Sequence, residues 1–453
     1  MRAYREYTPD QGFLVPPSLS DLIPVGDPVF MLRDVLAALD LEPFHRSYRK
    51  SNKGQPPYDP QAMLGLFIYG AMRRVYSSRR LAELCQRDVA CMYLVGRATP
   101  DYHTVGEFRQ RFTEEIKGLF VQVLKLCEEA GLVRLGHIAL DGTKVQANAS
   151  KHKAMSYERM AQKELMLDAE VQRWLEEGMQ QDKEEDERHG PDDDGWSMPP
   201  EVKETERRLA KIQAAKARLE VMTAEKAKEK GKDPEQAVVP PKAQSNFTDP
   251  ESRIMKTPDG FGQCYNAQNA VDAESQVIVT YDISNAPDVR RLVPMLERIH
   301  DLTGKYPGQL TADAGYASEA NFAALAEAKV KAVIALRRYH RDEPADADPA
   351  AKGSSGRWPH RNAMRDLLST DEGKAIYKLR KQTVEPVFGQ IKGARGFRQF
   401  LRRGLVNVEA EWSLLCTTHN LLKLHKAKSP KKTPTTPRIG RSHVQSAPQA
   451  VLI

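Results

Sequence analysis

Cysteine is scarce and scattered. Cys85, Cys91, Cys127, Cys264 and Cys416 are the only five in 453 residues, and no two form a C-x-x-C pair. That spacing argues against a disulfide framework and against a cysteine zinc site. Long apolar runs are missing too. The longest, residues 63–72, stops at Arg73 and Arg74, well short of the roughly 20 residues that span a bilayer. The first residues carry Arg2, Arg5 and Glu6 rather than an apolar stretch, so no secretory signal is expected. These absences lead to the expectation of a cytoplasmic protein with no membrane partner. Acids are absent from one region: residues 421–453 hold seven Lys/Arg and no Asp or Glu. Residues 377–403 hold eight Lys/Arg against a single acid, Glu385. The net charge is only +7, so it is the concentration of basic charge that suggests a polyanionic partner, nucleic acid first. For residues 421–453 alone, a solvated basic tail explains the charge equally well.

What is present suits a folded chain. Hydrophobic residues make up 40%, enough for a core, and the length predicts two or three domains. Residues 1–130 read as an all-helical N-terminal domain. One helix is expected at residues 31–41. Pro60 opens another, with Met63, Leu64, Phe67, Ile68 and Met72 at helical spacing. Ser77 stands where it would cap a further helix carrying Leu81 and Leu84. Arg73, Arg74, Arg79 and Arg80 surround the turn between the two. That pair fits a helix-turn-helix reader of DNA, and equally two packed helices with solvated arginines. Thr104-x-x-Glu107 is a capping-box pattern, predicting one long helix from Thr104 to Gly131.

Beyond residue 130 the periodicity changes. Short strands are expected at 135–140, 143–147, 265–271, 276–283, 308–313 and 330–336, with helices opening at Pro287 and Ser318 and one over 371–391. Strands followed by strand–helix alternation predict an α/β domain around a mixed sheet, covering residues 131–150 and 246–425. Between its two parts, residues 151–245 read as a charged helical insertion, a hairpin with a partial heptad at Leu209, Ile212, Leu219 and Met222 or, more simply, a solvated helical spacer. The stretch 342–356 reads as a loop, and 426–453 as a basic, disordered tail.

Three acids stand out by position. Asp141 follows the apolar run His137–Leu140, Asp313 ends the run Gln309–Ala312, and Glu385 is alone in its basic stretch. Carboxylates at strand ends, joined by one from a helix, can meet outside a sheet. Such hard oxygen ligands suit Mg²⁺ or Mn²⁺, and two such ions assist phosphodiester chemistry. Taken singly, each acid also has a plain explanation. Asp141-Gly142 would make a hairpin turn, Asp313 a loop, and Glu385 a helix-face partner of Lys381.

The order of motifs resembles a known family. These are Tyr58-Asp59-Pro60, Tyr69-Gly70, Ser77-Ser78-Arg79-Arg80-Leu81 and Pro100-Asp101-Tyr102-His103-Thr104, then Leu140-Asp141-Gly142-Thr143, Tyr265-Asn266-Ala267-Gln268 and Ala312-Asp313-Ala314-Gly315-Tyr316, then Val384-Glu385-Pro386 and His419-Asn420-Leu421. Over nearly its whole length the chain resembles the DDE transposases of bacterial insertion sequences. The resemblance implies an RNase H-like catalytic domain with mixed sheet, an all-helical DNA-binding N-terminal domain and a charged helical insertion. It implies that Asp141, Asp313 and Glu385 bind two Mg²⁺ or Mn²⁺ ions. It places Tyr377, Arg380 or Lys381, and Lys392 in the signature around the glutamate. Tyr377, Arg380, Lys381, Lys392, Arg395 and Arg398, together with Arg79 and Arg80, are the expected DNA contacts. The implied partners are terminal inverted repeats, target DNA and further copies of the chain on DNA, in the nucleoid.

Overall fold

The computed structural model describes residues 18–48, 56–189, 200–229, 232–258, 260–336 and 358–428. The expected loop at 342–356 lies outside the described residues, as do residues 190–199 and 230–231 of the insertion and the expected tail 426–453 apart from 426–428, which end the last helix.

The N-terminal part is helical: α1 Pro28–Ala38, α2 Glu42–Arg46, α3 Pro60–Met72, α4 Ser78–Arg87, α5 Val89–Leu94, α6 Tyr102–Arg111 and α7 Thr113–Glu129. Helices α1 and α3 start on proline, whose missing N–H costs nothing there. The preceding Asp27 and Asp59 each accept a free first-turn amide. Gly70 lets α3 and α4 approach, since a Cβ on it would collide with the Leu81 side chain and lie 2.7 Å from the Val75 carbonyl.

The helix expected from Thr104 is corrected to two. Its cap is Asp101, which accepts from the amides of His103 and Thr104, so the chain becomes helical two residues earlier. It breaks at Phe112, whose ψ of 36° leaves the helical region. The break seats Phe112 in the core against Phe44 and Phe108.

The sheet is built from β1 His137–Gln146, β4 Arg253–Thr257, β5 Gly260–Asp272, β6 Ile278–Ser284, β7 Gln309–Ala312 and β8 Lys331–Ile334, while β2 Ala154–Ser156 and β3 Gln244–Asn246 form a separate ribbon. Strand β1 is central. It pairs antiparallel with β5 on one edge and parallel with β7 on the other, and β7 runs parallel to β8. Strand β6 lies antiparallel on the far edge of β5, beside β4. The order β6-β5-β1-β7-β8 makes a mixed sheet, as expected. Two strands expected at 135–140 and 143–147 are one continuous β1. Asp141 and Gly142 make no turn; they pair with Asn269 and Gln268 of β5.

Alternation along β1 divides the core. Ile138 and Leu140 face α10 Leu292–Thr303 and α11 Glu319–Glu327. Ala139 and Val145 face the other layer, made of the N-terminal helices, part of α13 Asp371–Phe388, and α14 Leu405–Lys428. One hydrophobic cluster therefore runs from α1 through α14 to the sheet. Strands β5 and β6 are buried almost throughout. Helix α12 Pro359–Ser369 covers the β8 edge.

The insertion forms a helical hairpin, α8 Tyr157–His189 and α9 Pro200–Glu229, rooted on the β2–β3 ribbon. It has its own core of Met160, Leu167, Leu209, Ile212, Ala215, Leu219 and Val239. Three of the four expected heptad residues are in that core, and Met222 is half-buried.

Candidate active site

The site begins with register. Leu140 of β1 pairs with Ala312 of β7 in a parallel ladder, so the next residues, Asp141 and Asp313, stand side by side. Neighbouring strands lie about 4.8 Å apart. Asp313 turns the chain by accepting from the Gly315 amide at 2.8 Å. Asp141 accepts from the Gly142 amide at 2.8 Å and from an Arg380 guanidinium nitrogen at 2.7 Å. Burial pushes the Asp141 carboxyl up to about 6; Arg380 opposes that shift and Asp313 adds to it.

Helix α13 packs against β1, β5, β7 and β8 and supplies Arg380, whose side chain is nearly buried. Arg380 bonds Asp141, lies 3.7 Å from Glu385 and sits 5.6 Å from the centre of the Tyr377 ring. Lys381 is exposed, so of the two candidates for the signature's basic residue, Arg380 reaches the acids. The Glu385 side chain is 52% exposed and touches the group through Arg380. Among the described residues, no three His, Cys, Asp or Glu side chains are close enough to hold a metal ion. The geometry thus joins Asp141 and Asp313 and leaves Glu385 at the rim.

After Glu385, Pro386 removes one amide from the helix. Within three residues the helix widens into a π turn, Gly389–Ala394. Such turns are rare and are often found at functional sites. This one carries Lys392, which donates to Thr143 Oγ1 at 3.0 Å and to the Lys144 carbonyl at 2.8 Å. Lys392 is therefore fastened to β1 two residues beyond Asp141.

The expected DNA contacts fare unequally. Arg398 is exposed. Arg79 and Arg80 are exposed on α4, with Arg79 over the Tyr102 ring at 5.0 Å. Arg395 is corrected. It is 5% exposed, sits 3.2 Å from His419 Nδ1, and its carbonyl accepts from the Tyr76 hydroxyl. A guanidinium held in that way joins helices and is not offered to a phosphate. Charge counting could not separate it from Arg398.

Asp288 and Asp249 escaped the sequence reading, and Tyr265, Asn266, Gln268 and Tyr316 stood in its motifs without a role. Asp288 follows Pro287 after β6. Its Oδ1 accepts from Asn266 at 2.6 Å and from Gln268 at 2.8 Å. Asn266 and Gln268 are two apart on β5 and so share a face. Polar residues alternating in a buried strand were the available signal. The neighbouring Tyr265 hydroxyl donates to Asp249 at 2.7 Å. The Tyr316 hydroxyl is wholly buried and without a partner. Asp141 and Asp313 supply oxygen donors of the kind a hard divalent cation takes, and among the described residues no third acid is placed to complete the set.

The N-terminal region, residues 17–111, matches the model of the Transposase domain (DUF772), and residues 242–421 match that of the Transposase DDE domain. Together they span well over half of the chain. The DDE match starts at the end of the insertion, so it takes in Asp313 and Glu385 but not Asp141, which stands beside Asp313 through the β1–β7 register. No curated protein matches the chain. Among solved structures, a pre-cleavage Mos1 transpososome aligns at 9% identity over 78% of this chain and 85% of that one. Its TM-score of 0.17 is too low to bear on the fold. A helical region that matches a transposase domain, a mixed sheet and a matched DDE domain define a nucleic-acid-processing enzyme. The chain belongs to the DDE transposases of insertion-sequence type.

Proposed function

We propose that this transposase recognises the terminal inverted repeats of its own element, cleaves the DNA there and joins the freed ends to target DNA. The supporting observation is the parallel β1–β7 register, which sets Asp141 beside Asp313. In this proposal Asp141, Asp313 and Glu385 hold two Mg²⁺ or Mn²⁺ ions, with Glu385 moving from Arg380 to the metal site when DNA arrives. The ions supply Lewis acidity and an activated nucleophile when bound. The chain's part is positioning and charge. Arg380 and Tyr377 neutralise and orient at the acids, Lys392 holds the backbone beside them, and Arg398 and Lys381 take phosphates. Water first cleaves the phosphodiester and leaves a 3′-OH. The oxygen of that hydroxyl then forms a new P–O bond with a target phosphate as the target's own 3′-oxygen departs and takes up a proton.

Residues 1–130 carry end recognition, with Arg79 and Arg80 at the reading helix. Residues 131–150 with 246–425 carry catalysis, and 151–245 extend from that domain. The working unit is a homo-oligomer on DNA, in the nucleoid. Among the described residues no helix is long and apolar enough to cross a membrane.

The test uses a plasmid bearing the element's ends and a second plasmid as target, with Mg²⁺ or Mn²⁺. The expected products are cuts at the ends and joined molecules. Cuts without joining assign the protein to the metal-dependent nucleases of this fold. Binding without cuts assigns it to non-catalytic descendants.

A further inference from the structure

Strands β4 and β5 form a hairpin that reaches past the end of β1, and its two faces are unlike. Arg253 pairs with Cys264, Ile254 with Gln263 and Lys256 with Phe261, and the side chains of directly paired residues lie on one face. The Arg253 face is covered. Cys264 is wholly buried, and an Arg253 guanidinium nitrogen lies 3.2 Å from Met222 Sδ of α9. The other face is bare toward the turn. Phe261 is 62% exposed, Ile254 is 40% exposed, and Lys256 beside them is exposed.

Charge indicates what this face meets. The hairpin adjoins the end of β1 and the segment 396–403. Gln146 pairs with Cys264, bridges to Gln399 and donates its amide to the Arg398 carbonyl at 3.2 Å. The described residues within 144–148, 253–264 and 396–403 include six Lys/Arg and no acid. Of these, Lys144, Lys256, Arg398 and Arg403 are exposed. The neighbouring acids Asp249 and Glu251 already accept the amides of Gly404 and Leu405. Such a surface attracts a polyanion and repels its own copy.

Position relates the bare face to the acids. Asp141 pairs with Asn269 of β5, and Phe261 stands eight residues earlier in that strand. An even separation keeps Phe261 on the face that carries Asp141, about 26 Å away along the strand. The Lys144 ammonium donates to the Lys256 carbonyl at 3.0 Å, which fastens the hairpin to the catalytic strand. Duplex DNA rises about 3.4 Å per base pair, so the distance corresponds to about eight base pairs. Apolar side chains flanked by cations on a β-ribbon suit the minor groove, where Phe and Ile wedges part neighbouring base pairs and bend the duplex.

We propose that the β4–β5 hairpin is a DNA-bending wedge. Phe261 and Ile254 enter the minor groove about eight base pairs from the phosphodiester cut at Asp141 and Asp313, and Lys256 neutralises a phosphate beside them. This rests on the reading of Asp141 and Asp313 as the cleavage site on DNA.

The experiment places the full-length protein on a duplex carrying the element's end, with 2-aminopurine at one position after another inside the cut and a donor–acceptor dye pair at the duplex ends. Wild type should raise 2-aminopurine emission at one step about eight base pairs inside, where stacking is lost, and should bring the dyes closer. Phe261→Ala should abolish the rise, reduce the bend and weaken end binding about tenfold with the salt slope kept. Lys256→Ala should keep the rise and make the salt slope shallower by about 0.9. Wild type that leaves 2-aminopurine stacked at every position overturns the proposal without recourse to any variant. So does a Phe261→Ala protein that unstacks and bends as wild type does. Loss of self-association in Phe261→Ala with bending intact assigns the face to a second copy and overturns the proposal too. The plasmid cleavage assay separates the two readings. Cuts at the ends without unstacking refute the wedge alone, whereas no cuts by wild type refute the cleavage site and the wedge with it.

Discussion

The carboxylate of Asp141 is held in two opposing ways. Burial favours its neutral form and Arg380 its charged form, and the balance puts its titration near pH 6, at about 6. Unfolded, an aspartate titrates near about 4. A folded value above the unfolded one means stability present at low pH and lost as the pH rises through the folded value. The loss amounts to roughly 2–3 kcal/mol at most, because each tenfold difference in proton affinity is worth about 1.4 kcal/mol. Asp141→Asn should therefore be more stable relative to wild type at about pH 8 than at about pH 4 in metal-free protein. Urea melts at the two pH values measure this, and an equal difference at both would refute the balance. The same substitution should abolish end cleavage, as should Asp313→Asn and Glu385→Gln, with DNA binding near normal. A gel assay with Mg²⁺ follows both, and wild-type cleavage in any one variant removes that acid from the site.

Secondary-structure elements explain how far the sequence could be read. The apolar runs before Asp141 and Asp313 were legible, but the continuation of β1 past Asp141 and the adjacency of the two acids needed the β5 and β7 ladders, which no local pattern encodes. Asp141-Gly142 looked like a turn because Asp-Gly favours one. Its neighbours on β5 kept it extended, and Gly142 serves close approach to Asn266. Arg395 and Arg398 looked alike because burial is a tertiary property. Element-scale tests follow. Lys381→Ala with Arg398→Ala should make the dependence of log K on log salt shallower by about 0.9 for every phosphate no longer neutralised. Arg79→Ala with Arg80→Ala should instead lower the preference for end DNA over random DNA. An unchanged slope or preference, respectively, would refute each role. The insertion offers a cleaner cut. Ser156 pairs with Gln244 across β2 and β3, so Asn-Gly in place of residues 157–243 closes a two-residue hairpin. The remaining chain should still unfold cooperatively, because the hairpin's core is separate from the other two. A shallow, non-cooperative melt would show that the hairpin supports the sheet.

At the scale of the molecule, the N-terminal helices and the sheet are bound by one core. Val29, Leu32, Phe67 and Phe120 belong to the same cluster as Val271, Tyr281 and Trp412. Helix α14 is the connecting piece, packed on α7, α3 and β6. Trp412 donates to Asn269 of β5 at 3.0 Å, and Asn420 bonds both the amide and the carbonyl of Ile278 in β6. The turn between α3 and α4 reaches the π turn through Tyr76 and Arg395. Residues expected to read DNA ends are thus built onto the face of the sheet opposite α10 and α11. Trp412→Ala should open a cavity at this junction and cost about 3–5 kcal/mol. If the core is one cooperative unit, hydrogen exchange in α3 and in β5 should accelerate by the same factor in that variant. The α8–α9 hairpin, with its own core, should exchange as in wild type. Mass spectrometry of the labelled peptides reads all three. Acceleration in β5 with α3 unchanged would show that the helices fold independently of the sheet, and end recognition would then need another route to the acids than this shared core.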